Sequence, residues 1–280
     1  MKRFYLTVVL MVSFALTLGA QAKIYTKKMK VADFTEKTLK VVLSGSEMTD
    51  APFKAEVVKH WKLSPYEFCT LEEFDALKTD PNYYFMFIVG KADELDHLEV
   101  VKGNPKPGDN LEKMLSVVSL PIRATGETGI RYLVYLGAYL DFFQEFIAEA
   151  MVNDIVGYSG LSRKALNARA AQSSDFLLAE GDLASQSLDG AFIAQMEEKA
   201  RMRVVTEEDA TNAMLESTPS TIVSYCIRPL NTPKNKYYYT LLVGADDHKL
   251  YYCRQAYYVN DDDAGFTRFS LKILMGKIAK

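Results

Sequence analysis

Three cysteines in 280 residues, Cys69, Cys226 and Cys253, are too few and too scattered for a disulfide framework or a cysteine-type zinc site. In a monomer at least one thiol stays unpaired. Cys226 and Cys253 fall in two apolar runs expected as neighbouring strands, so either a bridge or a pair of buried thiols fits them. Histidine is equally sparse: His60, His97 and His248 lie in different segments, none at ligand spacing from another. Each falls near an element end or a turn, where an exposed imidazole needs no special role. An excess of positive charge is also missing. The formal net charge is −3, and two units more negative once Lys2 and Arg3 leave with a leader, so nothing draws in phosphate backbones or anionic lipid; no nucleic-acid partner is expected. Gly157-Tyr158-Ser159-Gly160-Leu161 does not frame its serine as Gly-x-Ser-x-Gly, so no catalytic nucleophile is nominated. No cofactor or metal motif stands out.

What is present begins with an address. Lys2 and Arg3 open the chain, Phe4 to Leu18 is almost uninterruptedly apolar, and Ala20-Gln21-Ala22 is the small-x-small pattern of a secretory cleavage site. Residues 1–22 are therefore expected to be a signal peptide. The run is shorter than the roughly twenty apolar residues that span a bilayer, and the first cysteine is too distant for lipidation at the cut. A periplasmic or cell-surface protein with no transmembrane segment in its mature chain is the expectation.

With 49% hydrophobic residues, 17 Tyr and 15 Phe, the rest reads as globular. Lys40 to Ser44 is a strand ended by Gly45, and Asp50 caps a helix whose Phe53, Val57 and Trp61 form one stripe. Tyr66-Glu67-Phe68 is a short strand. Thr70-Leu71-Glu72-Glu73 is a capping box opening a helix with Phe74 and Leu77. Tyr83 to Val89, Leu98 to Val101 and Met114 to Ile122 are further strands. The same order returns 136 positions later, as from Thr70 to Thr206, with strands at Phe176 to Ala179, Met202 to Val205 and Thr221 to Ile227. Few identities survive, and both duplication and chance recurrence of turn and cap signals produce such a pattern. Tyr237 to Gly244 and Lys249 to Val259 form a hairpin about Ala245-Asp246-Asp247-His248, and Phe266 to Ile278 is a closing helix.

Ile130 to Asn153 is the longest helix, with Leu133, Leu136, Leu140, Phe143, Ile147, Ala150 and Met151 on one face. The expected fold is α/β (α+β), with two similar β-α-β-α-β-β modules, 23–127 and 173–280, joined by a connecting helical segment over 128–172. Asp141, Glu145 and Glu149, four residues apart, read as a solvated face rather than an acid–base pair. Asn260-Asp261-Asp262-Asp263 lacks the alternation and distal Glu of a calcium loop and reads as a helix cap. The hairpin is rich in tyrosine, and Tyr237, Tyr239, Tyr251 and Tyr257 are the candidate binding residues, since outward tyrosines suit protein or sugar surfaces. β propensity alone produces the same composition.

The export signal, the strings Tyr225-Cys226-Ile227-Arg228-Pro229 and Leu242-Val243-Gly244-Ala245-Asp246, and the ending Ala264-Gly265-Phe266 resemble a group of exported proteins from Bacteroidetes-type bacteria. That likeness spans most of the mature chain and implies an address and a lineage, with no activity attached. The order of elements also looks like envelope-assembly domains of the TolB N-terminal and curli-secretion-accessory types, an analogy of topology alone. The expected role is non-catalytic binding of an envelope or surface protein, or a glycan. The alternatives are a hydrolase of an envelope or dietary polymer, its site assembled only in three dimensions, and a structural subunit with an exposed apolar patch.

Overall fold

The computed structural model describes residues 28–104, 113–153, 161, 165–166, 171–230, 237–257 and 264–279. The expected signal peptide and the Asn260 to Asp263 cluster lie outside these residues, as does 157–160.

One arrangement occurs twice. The first half runs α1 (Lys28–Val31), β1 (Thr38–Val42), α2 (Glu47–His60), β2 (Tyr66–Cys69), α3 (Leu71–Leu77), β3 (Tyr83–Gly90), β4 (Leu95–Lys102), β5 (Leu115–Ala124) and α4 (Arg131–Val152). The second runs β6 (Asp175–Ala179), α5 (Gly190–Ala200), β7 (Met202–Val205), α6 (Glu207–Leu215), β8 (Thr221–Ile227), β9 (Tyr237–Gly244), β10 (Leu250–Tyr257) and α7 (Arg268–Ile278). Their sheets have the orders β2-β1-β3-β4-β5 and β7-β6-β8-β9-β10, the same topology strand for strand. In each, the first three strands are parallel and the last two add antiparallel. The fold is thus α/β with two similar modules, and α4 holds in the first the place α7 holds in the second.

Local chemistry explains the helix starts. Thr70 accepts from the Glu73 N–H while Glu73 accepts from the Thr70 N–H, and Thr206 accepts from the Asp209 N–H at the matching position. Helix α2 begins earlier than its Asp50 suggests, at Glu47 with Ser46 as N-cap, and the Asp50 carboxylate accepts the N–H groups of Ser44 and Gly45 just beyond β1. Pro52 is tolerated inside α2 because the carbonyl it leaves unmatched belongs to Met48, which is exposed.

Helix α4 is buried on nearly every side. Beyond the expected apolar face, Tyr132, Tyr135, Ala138, Tyr139, Phe142 and Phe146 are also covered. Only a stripe through Glu145, Ala148, Glu149 and Val152 is exposed, and a helix so largely apolar belongs in an interior: a single core joins it to β1, β3, β4 and β5 and to the inner faces of β8 and β9. The hydroxyls of Tyr139 and Tyr225 donate to the carbonyls of Pro121 and Ile122, closing part of the edge of β5. No helix among the described residues is long and apolar enough to cross a membrane.

Cys226 and Cys253 are not bridged. Strand β9 separates their strands, and their side chains join different clusters, Cys253 the main core and Cys226 the small one with Tyr238 and Ala264.

Candidate functional site

The join between the modules is polar at the start of α4. Asp182 sits in the 3-10 turn Glu180–Asp182 that follows β6, fully buried. It accepts from both terminal nitrogens of Arg131 at 2.8 Å, from the Ser224 hydroxyl at 2.6 Å and from the Cys226 N–H at 3.0 Å. Four donors satisfy a buried carboxylate that would otherwise be costly. Burial by itself would lower the Arg131 pKa, but the Asp182 carboxylate outweighs it and holds it above its ordinary value. The guanidinium lies 5.0 Å from the Tyr225 ring, which stacks on Tyr135 at 4.2 Å. A cavity of about 340 Å³ opens on this knot, lined by Arg123, Glu127, Arg131, Glu207 and Arg228 among others. Arg123 is held by Asp96 at 2.8 Å and lies over Tyr132. Arg228 has no carboxylate partner among the described residues; its bond is to the Ala264 carbonyl at 3.3 Å.

Further along α4, Asp141 departs from the solvated face expected of it. Glu145 and Glu149 are exposed, but Asp141 meets His60 from the end of α2 and His248 from the β9–β10 turn. Neither imidazole is the exposed ring expected from sequence: their side chains are 12% and 21% exposed, and the rings lie 5.2 Å apart.

The third histidine is also buried. His97 Nδ1 lies 3.2 Å from Ser119 Oγ, and its Nε2 lies 2.9 Å from Asp93 Oδ2. This is the Ser–His–Asp order of a catalytic triad with the two ring nitrogens exchanged. However, Ser119 is only 6% exposed, too enclosed to receive an acyl group, and Lys91 donates to its Oγ at 2.9 Å. Strand register explains the cluster. Tyr225, Leu241 and Cys253 stand side by side on the second sheet and are buried against the core around α4. Their counterparts on the first sheet are Phe87, Glu99 and Ser119. Here Lys91 and Ser116 hold Glu99, and His97 holds Asp93, whose carboxyl stays below the usual range because the histidine outweighs the raising effect of burial. The polar set closes on itself.

The four tyrosines separate. Tyr239 is buried in the core rather than outward-facing and accepts from Gln255. Tyr251 donates to Asp247, and Tyr237 meets Tyr257 edge-on at 5.4 Å; of the four, only Tyr257 is classed as exposed. The polar groups at the join left little trace in sequence, because Arg131, Asp182 and Arg228, like His60 and His248, are distant in the chain.

No protein-family model, no curated protein and no solved structure matches this chain. The chemistry of these side chains therefore carries the functional reading.

Proposed function

We propose that the protein is an exported, non-catalytic binding protein whose site is the cavity between its modules, and that it takes a carboxylate-bearing segment of an envelope glycan or protein. The observation that carries this is the convergence of Arg123, Arg131 and Arg228 on one cavity, with Arg228 lacking a carboxylate partner among the described residues. A guanidinium is suited to bidentate capture of a carboxylate. The volume lies within the roughly 300–1,000 Å³ of ligand pockets, which favour domain joins. Glu127 and Glu207 on the same lining supply acceptors for hydroxyl or amide donors, which favours a sugar acid or peptide over a bare anion.

Export is supported by Lys2, Arg3, the Phe4 to Leu18 run and Ala20-Gln21-Ala22. A binding role is supported by thiols unsuited to attack: burial pushes Cys69 up to about 11 and Cys226 up to about 12. Calorimetric titration with an oligogalacturonate, its methyl ester and an acidic peptide tests the reading. A free acid should bind and the ester should not, and Arg228→Ala should weaken binding about tenfold or more, as expected for a lost charge-assisted bond. Equal binding of acid and ester would contradict it.

A further inference from the structure

Two of the chain's three histidines turn the same ring atom toward one carboxylate oxygen. His60 Nδ1 lies 3.1 Å and His248 Nδ1 2.9 Å from Asp141 Oδ2, and the three residues each bring one ligand atom within 4.8 Å of the others. We propose that His60, Asp141 and His248 form a site for a divalent transition-metal ion of the zinc type, which ties the first module to the second.

Two of the three separations fit such an ion closely. Tetrahedral bonds of about 2.0–2.1 Å to nitrogen and oxygen place ligand atoms about 3.3 Å apart, so the two nitrogen–oxygen separations need to open by only a few tenths of an ångström. Two imidazoles and one carboxylate select zinc, nickel or copper over calcium and magnesium, which take oxygen sets. A carboxylate able to serve as outer partner lies beside the ring, short of an aligned hydrogen bond. Glu56 Oε2 lies 3.3 Å from His60 Nε2, where a carboxylate orients a ligating ring. That nitrogen is otherwise buried without a hydrogen-bond partner, and the Glu56 contact is not aligned as one.

Each ligand is held by a different element. His60 closes α2, Asp141 lies within α4, and His248 takes a left-handed backbone, φ 52°, in the β9–β10 turn. Gly137, one turn before Asp141, keeps the ring seated: a Cβ there would meet His60 Nε2 at 2.7 Å and Glu56 Oε2 at 2.8 Å. Asp141 is 35% exposed, so the ion has an entry path and its fourth position falls to water. The site is independent of the cavity, being ten residues, or about 15 Å, along α4 from Arg131.

The test is titration of the chelator-stripped protein with Zn²⁺, with Co²⁺ as spectroscopic reporter and Mg²⁺ as control. One equivalent of Zn²⁺ should bind, Co²⁺ should show a tetrahedral visible spectrum, and Mg²⁺ should not compete. His248→Asn keeps a residue that tolerates the left-handed turn, and Asp141→Asn keeps the shape; each should weaken Zn²⁺ on the order of 100-fold or more, and Glu56→Gln about 10–100-fold. Unfolding in chelator checks that each variant is folded. Absence of a tight equivalent, or full affinity in folded His248→Asn and Asp141→Asn, overturns the proposal. Arg228→Ala should leave Zn²⁺ binding unchanged, and His248→Asn should leave oligogalacturonate binding unchanged, so the two sites stand or fall separately.

Discussion

Arg131 at the first turn of α4 and Asp182 after β6 face each other across the module join, both terminal guanidinium nitrogens at 2.8 Å from the two carboxylate oxygens. The pair has side-chain exposures of 10% and 2%, so little water reaches either charge except through the adjoining cavity. Replacing one partner strands the other. Asp182→Ala or Arg131→Ala should cost about 3–5 kcal/mol in denaturant unfolding, the usual penalty for breaking a buried pair. A loss below about 1 kcal/mol, typical of surface pairs, would show that water from the cavity solvates the stranded charge as fully as at a surface.

Gly137→Ala sets two effects against each other. Alanine gains about 1 kcal/mol of helix propensity over glycine, whereas the new Cβ must displace the His60 ring and the Glu56 carboxylate. The displacement should win where it is read most directly: Zn²⁺ affinity should fall, whatever the thermal midpoint does. Unchanged affinity would mean that His60 relaxes freely.

Acid should remove the tie between Asp33 and β3–β4. Burial would raise the Asp33 pKa, but hydrogen bonds from Lys102 at 2.7 Å and Tyr84 at 2.6 Å, with the lysine charge, hold it below the usual carboxylate range. A carboxyl whose folded pKa lies below its unfolded value stabilises the fold above about pH 4, and that contribution is lost as pH falls through the folded value. The stability gap between the protein and Asp33→Asn should be steady near neutrality and close on acidification. A gap that widens in acid would reverse the sign.

Thiol chemistry should be slow in the native state. With Cys69 at about 11 and Cys226 at about 12, the thiolate fraction at pH 8 is on the order of one in a thousand or less. Alkylation should label these two cysteines only after denaturant is added, and mild oxidation should not join Cys226 to Cys253. Rapid native labelling of Cys226 would contradict this placement.

Much of the fold was legible because it is written locally. Strand composition, the caps at Thr70 and Thr206, and the 136-residue recurrence each arise within a few residues or from comparison of like segments. The long helix was legible as a packing helix between the modules, but the extent of its burial was not, since that depends on a second sheet. The hairpin tyrosines misled at Tyr239, because alternation shows that residues divide between faces but not which face meets the core. The polar sites were the least legible. His60 and His248 lie 81 and 107 positions from Asp141 and meet it only because two sheets pack about one helix.

The central claim is that ligands are taken at the join rather than on the hairpin surface. Amide chemical-shift mapping during titration with an oligogalacturonate tests it most directly. Shifts centred on Arg123, Arg131, Glu207 and Arg228 are the predicted result; shifts confined to Tyr237, Tyr251 and Tyr257, with the cavity silent, would contradict it.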